Sequence, residues 1–372
     1  MMENSRNTII VLHVLGTIDL GGVENRIMDL YRSLNRNKIQ FYFAVHTTDK
    51  TLHSDEIAEL GGKVYFIPKF NGLNLIQYIV SWIKLFRLNK DIDIVHGHMT
   101  TTAFIYNLIA RFMGIQVRIA HSRNSNKDSF SKKVLSKMSR FPSNYFMAVS
   151  KKAAESEFGK KISCSKTIYF PNAINIQKFR FSEHKRNALR KNLRVDDDFV
   201  FGHVGRFHFQ KNHVFLLKLF KLIYQYLPKS KLILVGEGEL LDEINSQIID
   251  LGLKDRVTIV DKTPYVEKYY SVFDAFIFPS LYEGLPGVLI EAQANGLTSF
   301  VSSNISNEVK ITSGIHFIDG YNIQHWANYI LENLPSKRFN EIDKLVEQGF
   351  DSQVSAKLYA DFYHRTLLEV NE

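Results

Sequence analysis

Two glutamates eight positions apart, Glu283 and Glu291, enclose the turn Gly284-Leu285-Pro286-Gly287. Such a pair is common on helix surfaces, and the turn between them is what makes this one informative. Pro286 suits the first turn of a helix, and the flanking glycines let backbone come close to a ligand. Amides over 284–287 are therefore placed to receive an anion at a helix N-terminus. Arg206 and Lys211, just past the strand-like run 199–204, would bring two positive charges to the same anion. The two carboxylates would accept hydrogen bonds from hydroxyls at opposite ends of the ligand, and a molecule with sugar, diphosphate and ribose has that layout. Gly205 and the Gly236-Glu237-Gly238 turn stand at similar points, immediately after strand patterns.

A second group lies in the first half of the chain. His96 and His98 sit at the end of a strand pattern over 92–97, and His121 ends another over 116–121, with Arg123 close behind. Histidines so placed either face a ligand or are polar residues satisfied locally. A pair two apart invites a metal reading, but no third ligand follows at suitable spacing, and no divalent metal is expected. Gly21-Gly22 alone reads as a plain turn.

The elements that would position these residues come from hydrophobic periodicity. Strand patterns occur at 8–15, 40–46, 63–68, 92–97, 116–121, 145–149 and 167–170, and a second series at 199–204, 231–235, 257–260, 275–279 and 298–302. Amphipathic segments fill most gaps. The expected fold is α/β, with two Rossmann-like doubly wound domains of parallel strands and right-handed crossovers. The first is expected over 1–180 and the second over 181–352, with the polar basic stretch between Asn172 and Asp198 read as a linker. A C-terminal helix over 353–372 is expected to return to the first domain, its apolar face carrying Val354, Leu358, Phe362, Leu367 and Leu368.

A length of 372 residues favours two cores over one. The single cysteine, Cys164, excludes an intramolecular disulfide and a cysteine cluster. The first apolar run is short and wrongly flanked for an export signal, and no run approaches the ~20 residues of a membrane span. The expectation is a cytoplasmic protein, peripheral at most to the inner face of the membrane. Residues 1–190 carry 29 Lys and Arg against 14 Asp and Glu, whereas 191–372 carry 18 against 24. The basic half favours anionic partners. Lys132, Lys133, Lys137 and Arg140, interleaved with Phe130, Val134, Leu135, Met138 and Phe141, fit a helix lying on an anionic membrane as well as they fit a solvated face. No nucleic-acid module is evident.

The run from Phe278 to Ala292, FPSLYEGLPGVLIEA, resembles the E-x7-E signature of group 1 (family 4) retaining glycosyltransferases of GT-B fold. Val204-Gly205-Arg206, Gln210-Lys211-Asn212, Leu234 to Gly238 and Phe170 to Ala173 are similar to that family's landmarks, in its order. Gly21-Gly22-Val23-Glu24 and Asp93 to Met99 resemble its bacterial exopolysaccharide and capsule branch, although Arg123 stands where that branch more often has histidine. The resemblance implies two domains facing across a cleft and a nucleotide-sugar co-substrate, with UDP expected. It also implies transfer of a hexose or N-acetylhexosamine to a lipid-linked or saccharide acceptor, with no cofactor. Glu283 would hold the donor hexose and Glu291 the ribose. Arg206 and Lys211, with amides at Gly284, Leu285 and Gly287, would neutralise the diphosphate. Gly21 and Gly22 would close over it, Lys262 and Thr263 would lie by the base, and His98 or His96 would face the transferred sugar, with His121 and Arg123 on the acceptor side. The alternatives are a sugar-nucleotide epimerase of similar architecture and a non-catalytic, membrane-associated subunit. Asp91-Ile92-Asp93 imitates the metal-binding D-x-D of other glycosyltransferases but leads into a strand.

Overall fold

The computed structural model describes residues 8–19, 21–47, 52–123 and 137–371. The chain divides into two compact units, Met1–Ala173 with Ser352–Glu372, and Ile174–Asp351. In unit 1 the strands are β1 (Ile9–Leu15), β2 (Ile39–Val45), β3 (Lys63–Phe66), β4 (Ile94–Gly97), β5 (Val117–Ser122), β6 (Tyr145–Ala148) and β7 (Thr167–Tyr169). Its helices include α1 (Gly22–Ser33), α2 (Ser54–Glu59), α3 (Leu75–Leu88), α4 (Ala103–Phe112) and α5 (Lys151–Ser165). All strand pairs are parallel, in the order β3-β2-β1-β4-β5-β6-β7. Because helices cover both faces, β1 is apolar at nearly every position instead of alternating.

Unit 2 begins with α6 (Ile176–Phe179) and α7 (Glu183–Leu193). There follow β8 (Phe199–Val204), α8 (His213–Tyr226), β9 (Ser230–Val235), α9 (Leu241–Asp250), β10 (Val257–Val260), α10 (Val266–Val272) and β11 (Ala275–Phe278). It is completed by α11 (Gly287–Ala294), β12 (Thr298–Ser302), β13 (Ile315–Ile318), α12 (Ile323–Glu332) and α13 (Ile342–Glu347). The strand order is β10-β9-β8-β11-β12-β13, again all parallel. Both sheets thus reverse direction once, between β1 and β4 and between β8 and β11. Ligands of doubly wound sheets bind beyond the strand ends at that reversal.

Two expectations are corrected. The stretch between Asn172 and Asp198 is not a linker: from Ile174 on it belongs to unit 2, and α7 is fastened to that unit's sheet. Arg186 and Arg190 contact opposite oxygens of Asp274 at 2.5 and 3.1 Å, and Asp274 also accepts the Val200 N–H at 2.7 Å. Charges that look solvated in the sequence belong to a partly buried network.

The last helix, α14 (Ser352–Asn371), does belong to unit 1, but its inward face differs from the one expected. Ala356, Tyr359, Phe362 and Tyr363 pack in the core with Val11, Ile27 and Phe41, whereas Leu358 and Leu368 are exposed. The tyrosines win because their hydroxyls can meet the buried polar atoms described next.

Candidate active site

In unit 2 the adjacent ends of β8 and β11 carry the residues that matter. Gly236 and Gly238 lie against the segment after β8. A Cβ on Gly236 would stand 2.0 Å from the Gly205 carbonyl oxygen, and one on Gly238 would stand 2.4 Å from that of Phe207. No side chain fits there. The two segments are joined by bonds from Gly205 N–H to the Val235 carbonyl (3.0 Å) and from Phe207 N–H to the Glu237 carbonyl (2.8 Å). Lys211 closes a short 3-10 turn, Phe209–Lys211, which is tied to the segment after β11. Gln210 Nε2 donates to the Tyr282 carbonyl (2.7 Å), and the Leu281 N–H donates to the Gln210 carbonyl (2.8 Å). Lys211 Nζ is thereby brought to 2.6 Å from Glu283 Oε1, 4.7 Å from the centre of the Phe278 ring. Gly205 leaves the space in which the Lys211 stem lies, since a Cβ would be 3.1 Å from Cε.

The other predicted residues of this unit are held separately. Arg206 does not share an anion with Lys211: its guanidinium pairs with Glu239 at 3.0 Å, and its side chain is 69% exposed. Lys262 Nζ pairs with Glu237 Oε1 at 2.7 Å, and Thr263 Oγ1 accepts the Tyr265 N–H. Glu237 and Glu239, which sequence reasoning passed over, thus occupy the two outer cations. Gly284, Leu285 and Pro286 lead into α11, which starts at Gly287 with Pro286 as a cap that makes no side-chain hydrogen bond. Glu291, inside that helix, is buried and accepts a 2.6 Å bond from the Tyr270 hydroxyl.

In unit 1 the histidines converge. His13, in the middle of β1, lies opposite His96 in the register of β1 and β4. Two hydrogen-bonded strings result. Arg123 Nε donates to His98 Nδ1 (3.0 Å), and His98 Nε2 stands 2.9 Å from His13 Nδ1. Because guanidinium can only donate, His98 carries its proton on Nε2 and passes it toward His13. The second string runs from the Tyr363 hydroxyl to His96 Nδ1 (2.7 Å), and from His96 Nε2 to His121 Nδ1 (2.9 Å). Arg123 is also held by Asn172 Oδ1 at 2.7 Å. Burial first, and then the Arg123 charge or the neighbouring imidazoles, push the four histidines well below their ordinary pKa. All four are neutral at pH 7. Gly21 caps α1, after β1, and Gly22 opens it.

His13 is the third imidazole that spacing could not reveal, and atoms of His13, His96 and His98 lie within 4.8 Å of one another. Distance alone would suit a metal. However, the Nδ1 lone pairs of His98 and His13 already accept hydrogen bonds, and a dication would meet the buried Arg123 charge. Asp93 Oδ2 accepts the Ile10 N–H (2.7 Å), and Asp91 Oδ2 accepts the Tyr42 hydroxyl (3.2 Å), so neither aspartate is arranged as half of a D-x-D site. Of the basic segment, Lys132 and Lys133 lie outside the described residues. Lys137 and Phe141 are exposed, while Arg140 is half-buried.

Both halves of the chain match family models: Glycosyltransferase Family 4 over residues 20–178, and Glycosyl transferases group 1 over residues 184–349. The chain is 28% identical to the putative glycosyltransferase EpsF of Bacillus subtilis (strain 168) over 371 residues, 95% of this chain and 96% of that one. It is 26% identical over 277 residues, 70% and 71% of the two chains, to the Escherichia coli UDP-Gal:alpha-D-GlcNAc-diphosphoundecaprenol alpha-1,3-galactosyltransferase. The Anabaena HepE structure in complex with UDP and glucose superimposes with a TM-score of 0.78 at 17% identity, covering 95% of this chain and 99% of that one. These matches set the epimerase reading aside, and with both family models covered in order by two parallel-sheet units of GT-B type, the chain belongs to the group 1 (family 4) glycosyltransferases.

Proposed function

We propose that this glycosyltransferase moves a hexose or N-acetylhexosamine from UDP to a lipid-linked acceptor during assembly of a cell-surface polysaccharide, at the inner face of the membrane and with retention of configuration. The observation that carries the reading is the Lys211–Glu283 pair, held at the β8/β11 reversal beside the turn that opens α11. A diphosphate arriving there would take over Lys211 from the carboxylate. Glu283, released, would turn to the hydroxyls of the hexose. Arg206, exposed on its own loop, would swing from Glu239 to the same diphosphate, and the amides of Gly284, Leu285 and Gly287 would face it. Glu291 would hold the ribose and Lys262 with Thr263 would lie by the base, while His98 would face the transferred sugar. In this reading unit 2 binds the donor and unit 1 the acceptor.

As the bond from C1 to the leaving oxygen breaks, negative charge grows on the diphosphate, and fixed cations and amides stabilise that state more than the ground state. In a front-face transfer the acceptor oxygen bonds to C1 on the side the phosphate leaves, and a phosphate oxygen takes the acceptor proton. No side chain is needed as general base. Relatives named for capsular and lipid-linked glycan synthesis support the choice of acceptor. The test is a thermal-shift panel of UDP, GDP and ADP, with and without chelator. A ligand at 100 times its dissociation constant adds about 2.7 kcal/mol. A shift from UDP alone, indifferent to chelator, is expected; a shift from GDP or ADP alone, or one abolished by chelator, would overturn the donor or the metal assignment.

A further inference from the structure

One corner of unit 1 is built in a way that neither the core nor the active site explains. The connection from β3 to α3 ends in a tip, Asn71 to Asn74, made rigid by its own side chains. Asn71 Oδ1 accepts the N–H groups of Leu73 (2.9 Å) and Asn74 (3.1 Å), while Asn74 Oδ1 accepts that of Asn71 (3.0 Å). What this tip presents is a leucine: Leu73 is 96% exposed. Ile76 (79%) and Val80 (56%) continue the row at helical spacing along the outer face of α3. The opposite face is spent on the core, through Tyr78, Trp82, Leu85 and Phe86.

Along the chain itself the charge of this stretch is of one sign. Between residues 60 and 90 the chain carries Lys63, Lys69, Lys84, Arg87 and Lys90 and no Asp or Glu, and all five basic side chains are exposed. Lys84 and Arg87 prolong the same stripe of α3 that begins with Ile76 and Val80. Protruding aliphatic side chains followed by basic ones suit a headgroup layer, where chains enter the apolar boundary and cations stay among phosphates. Position agrees. Since β1, β3, β4 and β5 are parallel, the tip after β3 stands at the same edge of the sheet as Gly21, His98 and Arg123.

We propose that this corner, led by Leu73, Ile76 and Val80 and flanked by Lys69, Lys84 and Arg87, docks unit 1 on an anionic lipid surface. The proposal rests on the reading that the acceptor is lipid-linked, and it names the surface that would bring the acceptor edge to the bilayer.

The experiment is co-sedimentation of the full chain with phosphatidylglycerol/phosphatidylcholine vesicles and with pure phosphatidylcholine vesicles, in the absence of donor and acceptor. Binding to the anionic vesicles only, weakened by salt, is expected. Leu73→Ser with Ile76→Ser should lower the partition coefficient about tenfold or more, the burial of two aliphatic side chains being lost. Lys84→Glu with Arg87→Glu should abolish the preference for phosphatidylglycerol. Both variants should keep the UDP thermal shift, so a failed docking surface and a failed donor assignment give different results. Absence of binding to anionic vesicles, or unchanged binding by the Leu73/Ile76 variant, would overturn the proposal. So would gel filtration showing a wild-type dimer that this variant converts to monomer, which would give the patch to a second copy of the chain.

Discussion

The two units share a sheet order and place their polar groups at the same topological point, yet they hold those groups in opposite ways. Unit 1 holds two largely buried hydrogen-bonded strings, in which four neutral imidazoles, the Arg123 guanidinium and the Tyr363 hydroxyl are joined by bonds of 2.7–3.0 Å. At the corresponding strand ends unit 2 holds three cations, each on a carboxylate of its own: Arg206 on Glu239 and Lys262 on Glu237, both open to solvent, and Lys211 on Glu283, which is more sheltered. A buried network has one geometry and is costly to disturb. An ion pair open to solvent, such as Arg206–Glu239, is worth little and can change partners. Unit 1 is therefore suited to a fixed arrangement of donors and acceptors, and unit 2 to a site in which an incoming phosphate replaces a carboxylate.

Acid should separate the units most strongly. A histidine held below its unfolded pKa takes up a proton more readily when the chain unfolds. Its contribution is therefore present above about pH 6.5 and is lost as pH falls below that value. His13, His96 and His121 are wholly buried, so unit 1 should lose stability as pH falls below about 6.5, with His98 adding to the loss. Unit 2 has two buried histidines of this kind, His203 and His213, beside the half-buried His316, and the loss from His213 ends where its pKa has been driven by burial, about 4. Hydrogen exchange between pH 7 and pH 5 should show the amides of β1, β4 and β5 losing protection before those of β8 and β11. The reverse order would break the contrast.

Lys211→Ala tests the donor side. Removing one group that meets a developing charge typically costs about 3–4 kcal/mol, a hundred- to thousandfold in rate. Transfer of labelled sugar from UDP-hexose into a lipid extract should fall by that amount, with the unfolding of unit 1 unchanged. Transfer at the wild-type rate would remove Lys211 from the mechanism.

Much of this arrangement was legible before the fold was known, and the remainder has a common physical reason. Short apolar runs such as 199–204 and 275–279, bounded by turn residues, read as strands covered on both faces, and the glycine turn before Glu291 is visible in the residues themselves. What stayed hidden were partnerships between distant residues. Arg186 and Arg190 look like a linker's solvated charges until Asp274 is brought to them. His13 sits inside an apolar run, where one histidine carries no signal, and only the register of β1 and β4 sets it against His96. Tyr359 and Tyr363 were overlooked because hydrophobicity ranks leucine above tyrosine; the buried imidazole and guanidinium reverse that order on α14. The pairing of Arg206 with Glu239 depends on the close approach of two loops, which the glycines permit but do not announce.

Tyr363→Phe probes how tightly the unit 1 network is closed. It removes the hydroxyl 2.7 Å from His96 Nδ1 and leaves that nitrogen buried without its partner, at a cost of about 1–3 kcal/mol. The loss should appear in denaturant unfolding of unit 1, while the UDP-induced shift is unaltered. Arg123→Lys keeps the charge but loses the planar fork that reaches both His98 and Asn172. Freed from its fixed tautomer, His98 should make the pH profile of transfer change shape while the donor KM stays constant. A variant with the wild-type profile would show that Arg123 has no such hold on His98.

The smallest effect is the most specific to unit 2. If Glu239 holds Arg206 in place until a diphosphate arrives, neutralising that carboxylate removes a competitor of the ligand. Glu239→Gln should therefore tighten UDP binding, by no more than about fivefold, because the pair is solvent-exposed. The gain should shrink in high salt, where the competing pair is already screened. Calorimetric titration with UDP at two ionic strengths reads both quantities. Weaker binding by Glu239→Gln would mean that this glutamate belongs to the donor site itself, and that the loop carrying it does more than keep a cation until the phosphate comes.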